Sequence, residues 1–295
     1  MHSDRDPGDI CTPQFLEQAE RWQEVFVRLI AVQFDIVWEN KQENYRQVRT
    51  LLDQNPPPGN SLIVLPEMFA TGFTMNASEM AEEQGGPTED FLATMCRDYQ
   101  SWVLGGLIGK RGEGYVNEVA LLNPEGQTAT RYVKRHPFSY SDEGIYYAAG
   151  ETLELYDLGG FILSPFICYD LRFPEDFRSA VRNGANLFVV VANWPASRDR
   201  HWRVLLEARA VENQSFVVGV NRCGKDPQIS YAGHTMIFHP RGDVLAAAST
   251  EESFVSAEID LSAVEDYRRA FPALNDMHDD FKEIGSISGG ERVEK

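Results

Sequence analysis

The sequence predicts an α/β protein in which mixed β-sheets are covered by helices. Short β-rich runs alternate with segments of helical spacing, and several neighbouring runs are joined by hairpin-like turns. The 295 residues are 43% hydrophobic and 24% charged, so the chain can bury a sizeable core. No break in composition occurs between residues 25 and 282. We therefore expect one domain over 26–282, with an N-terminal extension (1–25) and a flexible C-terminal tail (283–295).

Hydrophobic periodicity and the residues that bound each segment predict the elements in order. The first helix, for example, has apolar residues at helical spacing and ends at three consecutive prolines. Helices are predicted over 40–55, 88–100, 174–185 and 201–214. Strands are predicted over 25–34, 61–66, 101–111, 114–136 (a meander that turns at 123–127), 161–168, 186–193, 215–224, 233–245 and 253–260.

Charge, hydropathy and cysteine spacing exclude several classes of protein. The net charge of −18 argues against a nucleic-acid-binding protein, which would need a basic surface. The first residues lack the pattern of a signal peptide, and the most apolar segment, 26–34, is short and contains Arg28, so we expect no membrane span. The four cysteines lie far apart, which is typical of reduced thiols in a cytoplasmic protein and not of disulfides or a zinc site.

Three reactive side chains follow the ends of apolar runs. Glu67 comes after "LIVLP", Lys134 comes after "ATRYV", and Cys168 comes after "LSPFI". In layered α/β proteins, ligands bind in the crevice beyond the strand ends, where loops carry the reactive groups. If these strands are neighbours, the three side chains converge on one pocket.

A carboxylate, an amine and a thiol in one pocket are suited to acyl transfer. A thiol is mostly protonated at neutral pH, so Glu67 can act as its base and later return the proton to a departing amine. Lys134 can hold the developing oxyanion, and the backbone N–H of Tyr169 is the natural second donor. Each side chain alone has an ordinary alternative: a buried hydrophobic cysteine, a solvated carboxylate and a surface lysine.

The stretches around these residues resemble the nitrilase superfamily of carbon-nitrogen hydrolases. The resemblance covers most of 26–250 in the family's order, and its stretches are "LPEMFATGF", "YVKRHPFSYSDEGIYYAAG", "ICYDLRFPE", "VVANWPASRDRHWRVLLEARAVENQSFVVGVNRCG" and "AGHTMIFHPRGDVL". It implies a four-layer αββα sandwich that forms homodimers or larger homo-oligomers, with no metal and no organic cofactor. It also implies that Glu67 is the general base, Lys134 the catalytic lysine and Cys168 the nucleophile, and that Glu143 orients the lysine or assists the base.

Within the superfamily, "EMFATGFTMN", "CYDLRFPEDFR" and "NWPASRDRHW" look most like the omega-amidase branch. This resemblance implies hydrolysis of the terminal amide of 2-oxo dicarboxylic acid monoamides, such as 2-oxoglutaramate. Deaminated glutathione amidase, another aliphatic amidase or a nitrilase are alternatives within the superfamily. A catalytically silent binding or scaffold protein is the alternative from a different class.

Both amide substrates carry a carboxylate, so the pocket needs a basic partner. Arg172 is the candidate, and an ion pair with Asp170 or Glu175 is an equally good explanation for it. Aromatic residues can form the walls of the pocket, although ordinary core packing would explain each of them as well. These candidates are Phe73, Phe138, Tyr140 and Trp194.

Overall fold

Most predicted segments form strands or helices in the computed structural model, which describes residues 26–278. The predicted extension (1–25) and tail (283–295) lie outside the described residues. The helices are α1 (Lys41–Asp53), α2 (Ala77–Met80), α3 (Pro87–Tyr99), α4 (Glu143–Tyr146), α5 (Pro174–Arg182), α6 (Asp199–Asn213) and α7 (Leu261–Ala270). The strands are β1 (Phe26–Gln33), β2 (Ser61–Val64), β3 (Trp102–Arg111), β4 (Gly114–Leu122), β5 (Thr128–Val133), β6 (Tyr156–Leu158), β7 (Phe161–Ile167), β8 (Leu187–Ala192), β9 (Phe216–Asn221), β10 (Cys223–Lys225), β11 (Ser230–Ala232), β12 (Met236–Phe238), β13 (Val244–Ala247) and β14 (Ser253–Asp260).

Two six-stranded mixed sheets form the centre of the molecule. The first has the strand order β14-β1-β2-β3-β4-β5, and the second has the order β13-β12-β9-β8-β7-β6. Strands β1, β2 and β3 are parallel in the first sheet, as are β7, β8 and β9 in the second, while the outer pairs are antiparallel. Strands β10 and β11 form a separate two-stranded sheet.

The sheets pack face to face, and helices cover their outer faces. Strand β4 contacts β7 and β1 contacts β9 across the interface, while α3 packs on β3 and α6 packs on β9. Successive side chains of β1 point in opposite directions: Leu29 joins the core between the sheets, and Ile30 joins the core that includes Val48 of α1. The order of layers is helix, sheet, sheet, helix, which confirms the predicted αββα sandwich.

Strands of both sheets end at one edge of the sandwich. Strand β5 runs parallel to β2 because two antiparallel pairings separate it from β3. A parallel bridge between Asp35 and Cys223 joins the chain after β1 to the chain after β9. Glu67, Lys134 and Cys168 follow β2, β5 and β7, so all three lie at this edge.

The structure differs from the prediction mainly in the last third of the chain. The strand predicted over 215–224 divides at Arg222 into β9 and β10, and the one predicted over 233–245 is shortened and divided by a turn into β12 and β13. Helix α7 was not predicted, because its one fully buried side chain, Val264, gives no apolar stripe. Within residues 26–278, no helix has both the length and the apolar character needed to cross a membrane.

Candidate active site

Glu67, Lys134 and Glu143 meet at the strand ends, and we refer to these three side chains as the buried cluster. The Lys134 ammonium donates to Glu67 Oε1 at 3.0 Å and to Glu143 Oε2 at 2.8 Å. All three residues are buried. Two carboxylates and one ammonium give the buried cluster one net negative charge when all are ionised.

The backbone around Glu67 depends on a glycine in the neighbouring strand. Gly106 of β3 lies so close that a Cβ atom there would come within 2.6 Å of Glu67 Cα. Met68, which follows Glu67, adopts a φ of 43°, and the Phe69 backbone N–H donates to Gly106 O at 3.1 Å. A side chain at Gly106 would therefore displace the segment that carries Glu67. Gly106 was not predicted from the sequence, although a glycine within a strand is a signal of close backbone approach.

Two asparagines that were not predicted hold the Glu67 carboxylate. Asn117 Nδ2 donates to Glu67 Oε1 at 2.7 Å and to Glu143 Oε1 at 2.9 Å. Asn193, the first residue after β8, donates its backbone N–H to Glu67 Oε2 at 2.8 Å and its side-chain N–H to the Glu67 carbonyl at 2.7 Å. Both carboxylate oxygens of Glu67 are therefore fixed by the protein.

Lys134 remains charged although it is buried. Burial alone would lower the pKa of this lysine, but the carboxylates of Glu143 and Glu67 outweigh burial and raise the pKa above its usual value. Glu143 is itself held in place, because its carboxylate also accepts a hydrogen bond from the Phe138 backbone N–H. The Phe73 ring centre lies 5.3 Å from the Lys134 Nζ, close enough for a cation–π contact.

Cys168 follows β7 at a sharp turn and is the first residue of a short 3₁₀ helix, Cys168–Arg172. It adopts a φ of 46°, a conformation that costs a residue with a side chain about 1–3 kcal/mol and persists where its surroundings enforce it. Asp170 stabilises this turn, because its carboxylate accepts hydrogen bonds from the backbone N–H groups of Ile167 at 3.0 Å and His136 at 2.9 Å. The turn directs Cys168 beyond the end of β7.

The surroundings of Cys168 favour the protonated form of its thiol. Burial raises its pKa well above the usual value, the Glu67 carboxylate raises the pKa further, and Lys134 offsets these effects only in part. The residue keeps some exposure at the cavity wall. Tyr169 is the second residue of the 3₁₀ helix, so its backbone N–H has no partner within that helix.

A cavity of about 860 Å³ opens next to the buried cluster. Lys134 and Cys168 lie on its wall, whereas Glu67 and Glu143 lie behind it. The structure also places on this wall all the predicted substrate-contacting residues, namely Phe73, Phe138, Tyr140, Arg172 and Trp194, together with Tyr169. Within residues 26–278, no group of His, Cys, Asp or Glu side chains is arranged to hold a metal ion.

Comparison with known proteins identifies the family. The family model for carbon-nitrogen hydrolases matches residues 28–269. The chain belongs to the carbon-nitrogen hydrolase family. The 2-oxoglutaramate amidase of Bacillus subtilis is 36% identical over 251 residues, which are 84% of this chain and 96% of that protein. Omega-amidase YafV of Escherichia coli K12 is 34% identical over 258 residues, which are 87% of this chain and 98% of that protein.

A solved structure agrees with this assignment. XC1258 from Xanthomonas campestris, a CN-hydrolase superfamily protein, aligns with a TM-score of 0.81 and 33% identity, covering 88% of this chain and 100% of that chain. These findings confirm the resemblance to the nitrilase superfamily and the predicted fold. The protein is therefore a hydrolase that acts on carbon–nitrogen bonds other than peptide bonds.

In this carbon-nitrogen hydrolase, Arg172 faces the cavity without a carboxylate partner among the described residues. Its guanidinium lies 4.7 Å from the Trp194 ring centre, and its polar contact is with His201 Nδ1 at 3.3 Å. Asp170 forms no ion pair with it, because that carboxylate is used by backbone N–H groups. Glu175 forms none either, so the structure does not contain the ion pair that was the alternative explanation for Arg172.

Proposed function

We propose that this hydrolase is an omega-amidase that releases ammonia from the terminal amide of 2-oxo dicarboxylic acid monoamides, such as 2-oxoglutaramate. One observation carries the proposal: the same cavity wall holds the Cys168 thiol beside Lys134 and the guanidinium of Arg172 with no carboxylate partner in the described chain. An amide that also bears a carboxylate matches both groups at once. The names of the Bacillus and Escherichia relatives support the same substrate class.

The first half of the reaction forms a thioester on Cys168. Glu67 takes the thiol proton while the sulfur attacks the amide carbon, and the proton removes the excess negative charge of the buried cluster. The carbonyl π electrons move onto oxygen, and Lys134 and the Tyr169 backbone N–H stabilise that oxyanion, at about 3–4 kcal/mol for each donor. The oxyanion then collapses, the C–N bond breaks, and Glu67 gives its proton to the departing ammonia.

The second half of the reaction returns the site to its starting state. Glu67 takes a proton from a water molecule while the oxygen of that water attacks the thioester carbon. Lys134 and the Tyr169 backbone N–H stabilise the second oxyanion. When this intermediate collapses, the carbon–sulfur bond breaks, the sulfur regains the proton from Glu67, and the carboxylic acid leaves. Lys134 keeps its proton throughout, because its pKa is raised, and Glu143 holds it in position.

We also propose that residues 26–282 form one catalytic domain, which assembles as a homodimer or larger homo-oligomer. The family match over 28–269 supports the extent of the domain. A reducing compartment such as the cytoplasm would keep the Cys168 thiol free for catalysis.

Ammonia release from four amides tests the proposed function. The amides are 2-oxoglutaramate, glutamine, deaminated glutathione and succinamate, and each is assayed with the wild type and with Cys168→Ala. We expect 2-oxoglutaramate to be hydrolysed fastest, and Cys168→Ala to release no ammonia while its circular dichroism is unchanged. Hydrolysis of none of the four would refute the omega-amidase proposal, and turnover by Cys168→Ala would refute the mechanism.

Deaminated glutathione amidase is the second candidate, because the cavity of about 860 Å³ is larger than a five-carbon amide requires. A faster rate with deaminated glutathione than with 2-oxoglutaramate would favour this candidate. The nitrile that corresponds to the best amide tests the nitrilase alternative, and we expect it to react more slowly than the amide. Covalent labelling of Cys168 by a mild electrophile tests the catalytically silent alternative, because an inert thiol would not react.

A further inference from the structure

A second arginine, Arg198, lines the cavity and was not identified from the sequence. It ends the short 3₁₀ helix Ala196–Arg198 that precedes α6, and it is half-buried. Its guanidinium lies 5.5 Å from the ring centres of both Phe138 and Tyr140. These rings lie on a separate segment, the loop between β5 and α4, so the arginine bridges two walls of the cavity.

Arg172 and Arg198 are connected by a continuous set of aromatic contacts. The Arg172 guanidinium lies 6.0 Å from the Tyr169 ring centre, the Tyr169 ring lies 5.0 Å from the Phe138 ring, and Arg198 contacts the far end of this pair. We refer to these four residues as the arginine row. The aromatic faces hold both cations by cation–π contacts, and the N–H groups of both arginines, apart from the one in the Arg172–His201 contact, are available to a ligand. Tyr169 follows Cys168 directly, so the arginine row begins beside the reactive thiol.

The positive charge of the arginine row is not neutralised within residues 26–278. Two carboxylates line the cavity, and neither forms an ion pair with these arginines: Asp142 has none, and Asp226 accepts hydrogen bonds from its own turn. Burial, together with the charge of Arg198, lowers the pKa of Arg172. Two guanidinium groups that line one cavity without a carboxylate partner favour the binding of an anion in that cavity.

We propose that Arg198 is a second substrate-binding residue, which together with Arg172 selects amides that carry a carbonyl group next to the carboxylate. A 2-oxo carboxylate presents three oxygen atoms on adjacent carbons. One planar guanidinium binds two of these oxygens side by side, and the third is left for a second cation. An amide with a plain carboxylate leaves one arginine without an acceptor, so it loses more affinity than the missing oxygen alone would suggest.

This inference rests on the proposed function and specifies how the same site discriminates between substrates. Its test compares 2-oxoglutaramate with glutaramate, which has the same length but lacks the 2-oxo group. We expect Arg198→Ala to reduce kcat/KM for 2-oxoglutaramate by about tenfold or more, mainly through KM, and to change the value for glutaramate by less than about twofold. Arg172→Ala should reduce both values. Arg200→Ala, which removes a neighbouring exposed arginine outside the cavity wall, is the matched control and should change neither.

Two kinetic results would overturn the inference. The first is an equal loss for both amides in Arg198→Ala, which would mean that Arg198 does not recognise the 2-oxo group. The second is no change for either amide. Arg198→Lys separates charge from shape, because lysine keeps the charge but lacks the planar fork, and we expect it to restore only part of the preference.

A binding experiment separates the failure of this inference from the failure of the proposed function. Calorimetric titration of both amides into Cys168→Ala, with and without Arg198→Ala, measures recognition in the absence of turnover. We expect Arg198→Ala to weaken 2-oxoglutaramate binding about tenfold and to leave glutaramate binding unchanged. If the wild type hydrolyses neither amide but this difference is found, the proposed function is wrong and the role of Arg198 stands. If the wild type hydrolyses 2-oxoglutaramate but binding does not depend on Arg198, the proposed function stands and the role of Arg198 is wrong.

Discussion

The buried cluster and the arginine row adjoin the same cavity, but only the charges of the buried cluster are paired with charges of opposite sign. Within the buried cluster every charge has a partner of opposite sign, and Asn117 and Asn193 bond to the Glu67 carboxylate. In the arginine row the two guanidinium groups contact aromatic rings and are partly exposed. The comparison indicates that the two groups of residues have different roles. In the proposed mechanism the buried cluster moves a proton without gaining an unpaired charge, and the substrate supplies the counterion of the arginine row.

Because the buried cluster has one net negative charge, removing its cation and removing one of its carboxylates should have different effects on stability. Removing Lys134 leaves two buried carboxylates without their cation, which takes the net charge from −1 to −2. Removing one carboxylate leaves a neutral pair. Because a buried charge without a partner is costly, the loss of the lysine should be much the more damaging of the two changes.

The largest expected effect is that of Lys134→Met, which keeps the length of the side chain and removes its charge. We expect the free energy of unfolding to fall by about 3–5 kcal/mol, because Glu67 and Glu143 then repel each other in the interior. Ammonia release should fall at least about a hundredfold, because one of the two proposed oxyanion donors is lost. Denaturant unfolding and steady-state assays measure the two effects.

Lys110→Met is the matched control for this variant. Lys110 forms a surface ion pair with Glu83 and is 43% exposed, so its loss should cost at most about 1 kcal/mol and leave activity unchanged. Equal stability of the two variants would contradict the comparison, because it would mean that the charges of the buried cluster are not coupled.

Glu67→Gln should affect stability less than Lys134→Met, because it leaves a neutral pair, and it should separate activity from thiol acidity. Loss of the proposed base should reduce turnover about a hundredfold to ten-thousandfold. The pKa of the Cys168 thiol should nevertheless fall, since the adjacent carboxylate raises it and the ammonium of Lys134 remains. In a pH titration of ultraviolet thiolate absorbance, the thiolate should therefore form at lower pH in Glu67→Gln than in the wild type, with Cys168→Ala variants as blanks. Formation of the thiolate at the same or a higher pH would contradict the conclusion that the Glu67 carboxylate raises the pKa of the Cys168 thiol.

Asn117→Ala should have a moderate effect on the same cluster. The variant removes the N–H donor shared by both carboxylates, and we expect kcat to fall about tenfold and stability to fall by about 1–3 kcal/mol. KM should change little, because Asn117 does not line the cavity. Asn55→Ala, at an exposed asparagine after α1, is the control and should match the wild type. A change in KM alone would argue against a positioning role.

The sequence allowed prediction of residues whose role depends on local position. Glu67, Lys134 and Cys168 each follow an apolar run, so an interpretation based on strand ends was enough to group them. Asn117 and Gly106 were missed because their roles depend on which neighbours the strand register brings opposite them, and periodicity does not specify register.

The fold shows the same limit. Strands and helices with strong periodicity were predicted, whereas the break in the strand predicted over 215–224 was not. It occurs at Arg222, whose side chain is fully buried and pairs with Asp35 at 2.7 Å, a contact between residues far apart in the chain. Arg198 was missed for a related reason, since its cavity position depends on a loop that packs against Phe138 and Tyr140.

The smallest expected effect on stability is that of Arg172→Ala. This variant tests whether Arg172 is a substrate-binding residue or part of a structural ion pair. A structural ion pair would make the substitution destabilising. A guanidinium without a carboxylate partner, near a second cation, predicts a free energy of unfolding within about 0.5 kcal/mol of the wild type. Arg131→Ala supplies the contrast, because Arg131 is bonded to Glu89 and to the buried Glu118, and its loss should cost about 3–5 kcal/mol. A fall of more than about 2 kcal/mol in the free energy of unfolding of Arg172→Ala would show that Arg172 stabilises the fold as a paired arginine does. The arginine row would then not differ from the buried cluster in this respect.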